Sequence, residues 1–325
     1  MTRVAVLGAG AWGTAIASVL AARLEVTLWA RDAAQAETLA RLRRNERYLP
    51  GVEIPSSVRI TSAISDAARA EVLLAATPVS GLRDVLHRIE RESAVVWLCK
   101  GFEQDSGLLP HQIVEQTLGP AARCGALSGP SFAQEVARGL PCALTLAARD
   151  AAFAREAAAT LHGGRMRIYY SADLVGVEIG GAVKNVMAIA AGISDGLGLG
   201  YNARAALITR GLAEIARLGA AMGAQPDTIF GLTGAGDLIL TATGELSRNR
   251  RVGLHLAQGL PLRQILEQLG HVAEGVYTAR EVAKLAKTLT VDMPVTDAVN
   301  AVLEGRLGPK AAVEQLLSRD PKREA

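Results

Sequence analysis

The stretch Val4-Ala5-Val6-Leu7-Gly8-Ala9-Gly10-Ala11-Trp12-Gly13 decides the fold. An unbroken apolar run of β-forming residues passes at once into G-x-G-x-x-G, and a helical pattern of small residues follows. In that context the glycines have separate tasks. Gly8 permits the tight turn, Gly10 lets a backbone approach a pyrophosphate, and Gly13 lets the helix pack closely on the strand, with the helix N-terminus facing the phosphates. A purely structural turn could use the same three glycines. The strand before them and a second strand at 26–29 weigh towards a dinucleotide-binding unit.

Working outward, short apolar runs at 4–7, 26–29, 72–76, 95–99, 125–127, 143–146 and 167–170 read as strands, with helical patterns such as 33–43 and 81–90 between them. That alternation predicts βαβ units and a mostly parallel, doubly wound sheet. Beyond about Ser171 the period-2 runs stop. Segments of 3.6-residue period take over at 174–192, 203–222, 251–258, 262–269, 275–285 and 295–303, so the second half should be all-helical. The expected organisation is α/β, with domains at 1–172 and 173–325 and no Pro/Ser-rich linker at the join.

Composition excludes several classes. With 325 residues, 50% hydrophobic and 21% charged, the chain is ordinary globular material for two domains. A net charge of +3 is too small for a general nucleic-acid or membrane-surface footprint. Three cysteines and five histidines form no ligand spacing, which points to a reducing cytosol and no metal. The uncharged segment 4–22 imitates a signal peptide or a spanning helix, but its three glycines argue against both. Glycine is abundant, 33 of 325, and 13 of these fall between Gly176 and Gly236.

Local motifs narrow the chemistry. After the second strand stands Ala30-Arg31-Asp32, where an NAD-specific fold would place an acid for the ribose. Arg31 could clamp a 2′-phosphate, which favours NADP, and Asp32 could equally cap the next helix. Lys100 ends a strand at the edge where such sheets bind ligands. Ser128-Gly129-Pro130-Ser131 leads into a helix, and Ser131 with Gln134 reads as a capping box.

Gly180-Gly181-Ala182-Val183-Lys184-Asn185 is the least ordinary feature. Two mid-helix glycines cost about 1 kcal/mol each, a penalty that makes sense if another backbone or a cofactor comes close. A lysine on such a crowded helix is partly desolvated, which lowers its pKa from about 10.4 towards general acid/base use; a snorkelling surface lysine is the alternative. Asp237, after Gly234-Ala235-Gly236, could orient a lysine ammonium or cap a helix. Arg248 and Asn249, in Ser247-Arg248-Asn249-Arg250-Arg251, offer a donor fork and an amide suited to phosphate. Val272-Ala273-Glu274-Gly275 reads as a loop before a helix, with Glu274 as a hydrogen-bond acceptor.

Taken together, GAGAWGTA, CKG, SGPSFAQEV, the long GVEIGGAVKNVMAIAAGISDGLGLGYNARAALITRG stretch, GAGDL, SRNRR and VAEG resemble the bacterial NAD(P)-dependent glycerol-3-phosphate dehydrogenases that reduce dihydroxyacetone phosphate. The resemblance runs almost end to end. It implies a Rossmann domain followed by a helical domain like the C-terminal half of 6-phosphogluconate dehydrogenases, reduction to sn-glycerol 3-phosphate with NADP(H) or NAD(H), and supply of glycerophospholipid synthesis. It implies Lys184 as proton carrier, and Lys100, Gly129, Ser131, Lys184, Asp237, Ser247, Arg248 and Asn249 as substrate ligands. Gly8, Gly10, Ala11, Trp12, Gly13, Arg31, Tyr48, Lys100, Ala133, Arg248, Val272 and Glu274 are the implied cofactor contacts. Many members carry Ser where this chain has Ala11, so backbone N–H groups must replace one hydroxyl. The implied setting is cytoplasmic, with a small-molecule substrate, no nucleic acid, no stable membrane insertion and a homodimer as the assembly considered. From the motifs alone a β-hydroxyacid dehydrogenase stays open, as does a nucleotide sensor without catalysis, although Lys100, Lys184 and Asp237 together disfavour the sensor.

Overall fold

The computed structural model describes residues 2–90, 92–270 and 273–320. The chain divides into two compact units, Met1–Glu178 and Ile179–Ala325.

The first unit carries ten strands: β1 (Arg3–Leu7), β2 (Glu25–Trp29), β3 (Arg44–Asn45), β4 (Leu49–Glu53), β5 (Arg59–Thr61), β6 (Val72–Ala75), β7 (Val95–Trp97), β8 (Cys124–Ser128), β9 (Cys142–Ala147) and β10 (Met166–Ser171). Eight form one sheet in the order β10-β9-β8-β7-β6-β1-β2-β5. All its pairings are parallel except β8 with β9. Side-chain alternation explains the layering. Val4, Val6, Val26, Leu28, Leu74 and Val96 belong to one buried cluster, and Ala5, Leu7, Leu73, Ala75, Val95 and Trp97 to another. Both faces of the sheet are therefore buried, and the strands read as continuous apolar runs. Each fully buried Val or Leu contributes about 1.5–3 kcal/mol, so a one-residue slip would exchange the two faces throughout. Helices Ala11–Leu20, Ala33–Leu42 and Ala151–Leu161 cover the first cluster. Helices Val79–Leu86 and Pro110–Leu118, with Leu174 and Val177, cover the second.

All seven expected strands are present, with ends shifted by at most two residues. The hairpin β3–β4 and the edge strand β5 go beyond that reading. β3 (Arg-Asn) and β5 (Arg-Ile-Thr) are short and largely polar, and Pro50 and Gly51 interrupt β4, so no apolar run announces them.

The regular elements among the described residues of the second unit are all helical. They comprise the later part of Leu174–Gly196, then Gly200–Ala221, Pro226–Phe230, a π-helical turn Leu232–Gly236, Asp237–Thr243, Arg248–Ala257, Leu262–Leu269, Glu274–Thr288, Pro294–Leu303 and Pro309–Leu317. Glycines set the closest approaches. A Cβ on Gly192 would lie 2.0 Å from Arg250 O, and one on Gly253 2.1 Å from Ile189 O, so these two helices cross backbone to backbone. Asp195 fastens the same crossing, accepting from Arg250 Nη2 at 2.6 Å and Arg204 Nη1 at 3.1 Å. Leu174–Gly196 is the one described helix long and apolar enough to cross a membrane, and 89% of its apolar window is buried in the protein. The segment 4–22 resolves into β1, the glycine turn and helix Ala11–Leu20.

Candidate active site

In the first unit, Gly8 and Gly10 follow β1, Arg31 follows β2, Lys100 follows β7 and Gly129 and Ser131 follow β8, while Ala11, Trp12, Gly13 and Ala133 lie on helices and Tyr48 in the β3–β4 hairpin. Gly8 takes φ +125°, and a Cβ there would press on Ala76 O at 2.9 Å, so the turn between β1 and its helix excludes any other residue. A Cβ on Gly13 would fall 1.9 Å from Gly8 O. Gly10 differs, since nothing stands within 4 Å of where its Cβ would be. It also begins helix Ala11–Leu20 with no side-chain cap. First-turn N–H groups without a side-chain cap beside an open glycine form a cradle that fits a pyrophosphate, with Ala11 and Trp12 at the first two helical positions. Ala9 O is held from behind by Asn45 Nδ2 and Gln35 Nε2, each at 3.0 Å, and Asn45 Nδ2 also donates to Thr14 Oγ1 at 2.7 Å.

Arg31, just past β2, is exposed. Asp32 caps helix Ala33–Leu42, accepting from Ala34 N at 2.8 Å and Gln35 N at 3.3 Å. Tyr48 lies between β3 and β4, half-buried, with the Arg47 guanidinium 5.0 Å from its ring centre. Ala133 packs with Ala15, Leu49 and Val52, which brings helix Ala133–Ala137 beside the glycine turn. Lys100 follows β7 and donates through Nζ to Gly129 O at 3.1 Å. The capping box expected at Ser131 is absent. The helix starts one residue later than that motif requires, with Phe132 as its N-cap, and Ser131 Oγ donates instead to Gly129 O at 3.0 Å.

In the helical unit, Lys184 is buried and donates to Asp237 Oδ1 at 2.5 Å and to Thr241 Oγ1 at 2.9 Å. Thr241 Oγ1 itself donates to Asp237 O at 2.6 Å. Asp237 is the first residue of its helix, with Gly236 as N-cap, so its carboxylate is left for Lys184. The tight packing expected at Gly180 is explained by a second backbone, since a Cβ there would lie 2.8 Å from Thr233 O. Ser247 caps helix Arg248–Ala257, accepting from Arg250 N at 3.2 Å. Asn249 Nδ2 donates to Asn185 Oδ1 at 2.9 Å, and its Oδ1 accepts from Gly275 N at 3.0 Å. Glu274 is the first residue of its helix rather than part of a loop. The Arg248 side chain reaches the surface, yet the protein packed around it lowers its pKa, against the attraction of Glu274. It stays charged at any physiological pH. Val272 lies outside the described residues.

Comparison with known proteins fixes the kinship. Residues 3–154 match the N-terminal part, and residues 173–314 the C-terminal part, of NAD-dependent glycerol-3-phosphate dehydrogenase. The chain belongs to that family. A glycerol-3-phosphate dehydrogenase [NAD(P)+] of Aromatoleum aromaticum is 61% identical over 99% of this chain and 100% of the relative. That of Dechloromonas aromatica is 59% identical over 99% of both. The crystal structure of glycerol-3-phosphate dehydrogenase from Coxiella burnetii superposes with a TM-score of 0.92 at 39% identity, covering 98% of this chain and 99% of that one.

Within this glycerol-3-phosphate dehydrogenase frame, sequence reasoning overlooked Thr241 and Asn185 as partners of Lys184 and Asn249, and Asn45 as the brace of the glycine turn. Each is a neutral polar side chain whose partner stands at least 31 residues away. The S-x-x-E/Q type of signal that marks a local cap does not exist for such pairs.

Proposed function

We propose that Lys184 is the proton carrier in the reaction this enzyme catalyses, the reduction of dihydroxyacetone phosphate to sn-glycerol 3-phosphate with NADPH or NADH. The observation that carries the assignment is the buried contact of 2.5 Å between Lys184 Nζ and Asp237 Oδ1. The dinucleotide, when bound, supplies a hydride to the carbonyl carbon. Lys184 gives its proton to the carbonyl oxygen as negative charge develops there. Asp237 balances the buried ammonium and, with Thr241, fixes the direction of its Nζ. Lys100 stabilises the same oxygen. Gly129, Ser131, Ser247, Arg248 and Asn249 hold the rest of the substrate, Arg248 taking the phosphate as a planar fork. Asn249 contributes only its remaining amide hydrogen, because its other groups already bridge Asn185 and Gly275.

Gly8, Gly10, Ala11, Trp12 and Gly13 would hold the pyrophosphate, Arg31 the ribose or its 2′-phosphate, and Tyr48, Lys100, Ala133, Arg248, Val272 and Glu274 the remainder. We put the boundary between nucleotide and substrate domains at residues 172 and 173, where the C-terminal family match begins. The product is the phosphorylated backbone of glycerophospholipids, which supports a role in their synthesis. Phosphorylated substrate and nicotinamide cofactor are both cytoplasmic metabolites, which supports that location. Exposed Tyr201, Phe230 and Ile239 support a homodimer. Nicotinamide absorbance on mixing protein, NADPH and dihydroxyacetone phosphate tests the reading. Lys184→Ala should lower kcat by about 10²–10⁴-fold with dinucleotide affinity nearly intact, and an active variant would remove Lys184 from its role.

A further inference from the structure

Beside Lys100, at the carboxyl edge of β7 and β8, the nucleotide-binding unit contains a cavity of about 10 Å³. Trp97, Lys100, Ala126, Ser128, Val177 and Glu178 are among its walls. That volume admits the centre of one water molecule and little more. Strand register decides which side chains face it. Trp97 pairs with Ala126 across the parallel strands, and Ser128, two residues on, shares their face.

Two polar atoms on these walls have no hydrogen-bond partner, Trp97 Nε1 and Ser128 Oγ. Their residues are 0% and 4% exposed, so bulk solvent does not satisfy them. Leaving one such group unpaired costs about 1–3 kcal/mol, and two of them on one water-sized void is a mismatch that a single internal water would remove. The third polar wall is Glu178. Its carboxylate accepts from His111 N at 2.9 Å and pairs with His111 Nδ1. Burial pushes the Glu178 carboxyl up, and contacts from His111, with a smaller pull from the Trp97 indole, oppose this. The Trp97 indole N–H therefore faces the Glu178 carboxylate and pulls on it weakly, without the geometry of a full hydrogen bond.

We propose that this cavity binds one internal water molecule, which accepts from Trp97 Nε1, exchanges a hydrogen bond with Ser128 Oγ and donates to Glu178, and that this water positions the Lys100–Gly129 edge of the substrate site. The positioning part rests on the reading of Lys100 and Gly129 as substrate ligands. The water ties β7, β8 and the start of helix Leu174–Gly196 together beneath the 3.1 Å contact of Lys100 Nζ with Gly129 O. Ser128 and Trp97 are therefore positioning residues, with Glu178 and its His111 partner as the anchor.

A crystal structure of the full chain, at a resolution where waters are resolved, should show one ordered water bonded to both Trp97 Nε1 and Ser128 Oγ. An empty cavity, or one closed by a direct bond from Trp97 to Glu178, overturns the site. Ser128→Ala and Trp97→Phe should each lower kcat/KM for dihydroxyacetone phosphate by about threefold to tenfold, the scale of one hydrogen bond, with the dinucleotide Kd moved less. Unchanged kcat/KM for dihydroxyacetone phosphate in both variants, or an equal loss of dinucleotide affinity, overturns the positioning role. Should either variant fail to fold, the density in the unaltered protein still decides the site. Lys100→Ala separates the two readings: if it leaves KM for dihydroxyacetone phosphate unchanged, the assignment of Lys100 fails while the water is judged on its own density.

Discussion

A methyl group built on Gly10 would meet no atom within 4 Å, whereas one on Gly192 would sit 2.0 Å from a carbonyl oxygen of the neighbouring helix. Arginine shows the same contrast. Arg31 of the nucleotide-binding unit stands exposed past β2, while Arg204 and Arg250 of the helical unit are both fastened to Asp195. In the first unit these residues leave room for something the chain does not supply. In the second, the chain itself fills the room, and the close crossing of helices holds buried polar groups such as Lys184 and Asn249 in place. A surplus of one residue type therefore has two physical meanings, and only the surroundings of each position tell them apart.

The contrast can be broken by substitution. Gly192→Ala should be the more damaging, because a methyl inside a backbone crossing forces the helices apart at a cost of about 1–3 kcal/mol or more. Denaturant unfolding would show it, and a wild-type midpoint would mean that the crossing is loose. The next effect concerns pH. Glu214 is buried and accepts from Val295 N at 2.6 Å and Thr296 N at 3.1 Å, at the start of helix Pro294–Leu303. Burial pushes its carboxyl up to about 7, against those hydrogen bonds and the Arg217 charge, which pull it down. Its folded-state pKa then exceeds the unfolded value of about 4.3, so the folded chain holds the extra proton. The stability it confers is complete below about pH 4.3 and is lost as pH rises towards 7. Glu214→Gln should flatten that slope in unfolding measured across pH, and a slope unchanged by the substitution would place the proton elsewhere. Glu178, raised in the same direction in the other unit, adds in the same sense.

Smaller effects are expected where room is left open. Gly10→Ala should leave stability within about 0.5 kcal/mol of wild type yet weaken dinucleotide binding about tenfold, since its methyl group enters the cradle. Equal loss of stability and affinity would erase the difference from Gly192. Arg31→Ala should lower the preference for NADPH over NADH by about fivefold, as befits an exposed charge pair. An unaltered ratio of kcat/KM values would return Arg31 to the solvated surface.

Periodicity made most of this fold legible. The strands that were visible, such as β1 and β6, are buried on both faces and are written in Val, Leu and Ala; β3 and β5, written partly in Arg, Asn and Thr, carry no such mark. The glycine turn was legible because each glycine answers a local steric demand. Lys184 and Asp237 stood out for a similar reason, flanked by glycines that helices otherwise avoid. Ser131 shows the opposite case, where a motif matched in letters and the helix began elsewhere. Thr241, Asn185 and Asn45 left no trace, because a neutral polar residue in a helix or turn looks the same whether its partner is solvent or a lysine brought in from another helix.

The wide turn at Leu232–Gly236 has a consequence for chain length. Its bond from Gly236 N to Gly231 O, 3.1 Å long, closes over five residues where an ordinary helical turn closes over four. Each residue advances a helix by about 100°, so the extra one sets the direction in which Asp237 leaves its helix. Removing a single residue from Thr233-Gly234-Ala235 would keep every functional side chain in the protein and still aim the carboxylate away from Lys184. In this segment the count of residues sets the aim of the carboxylate as much as their kind does.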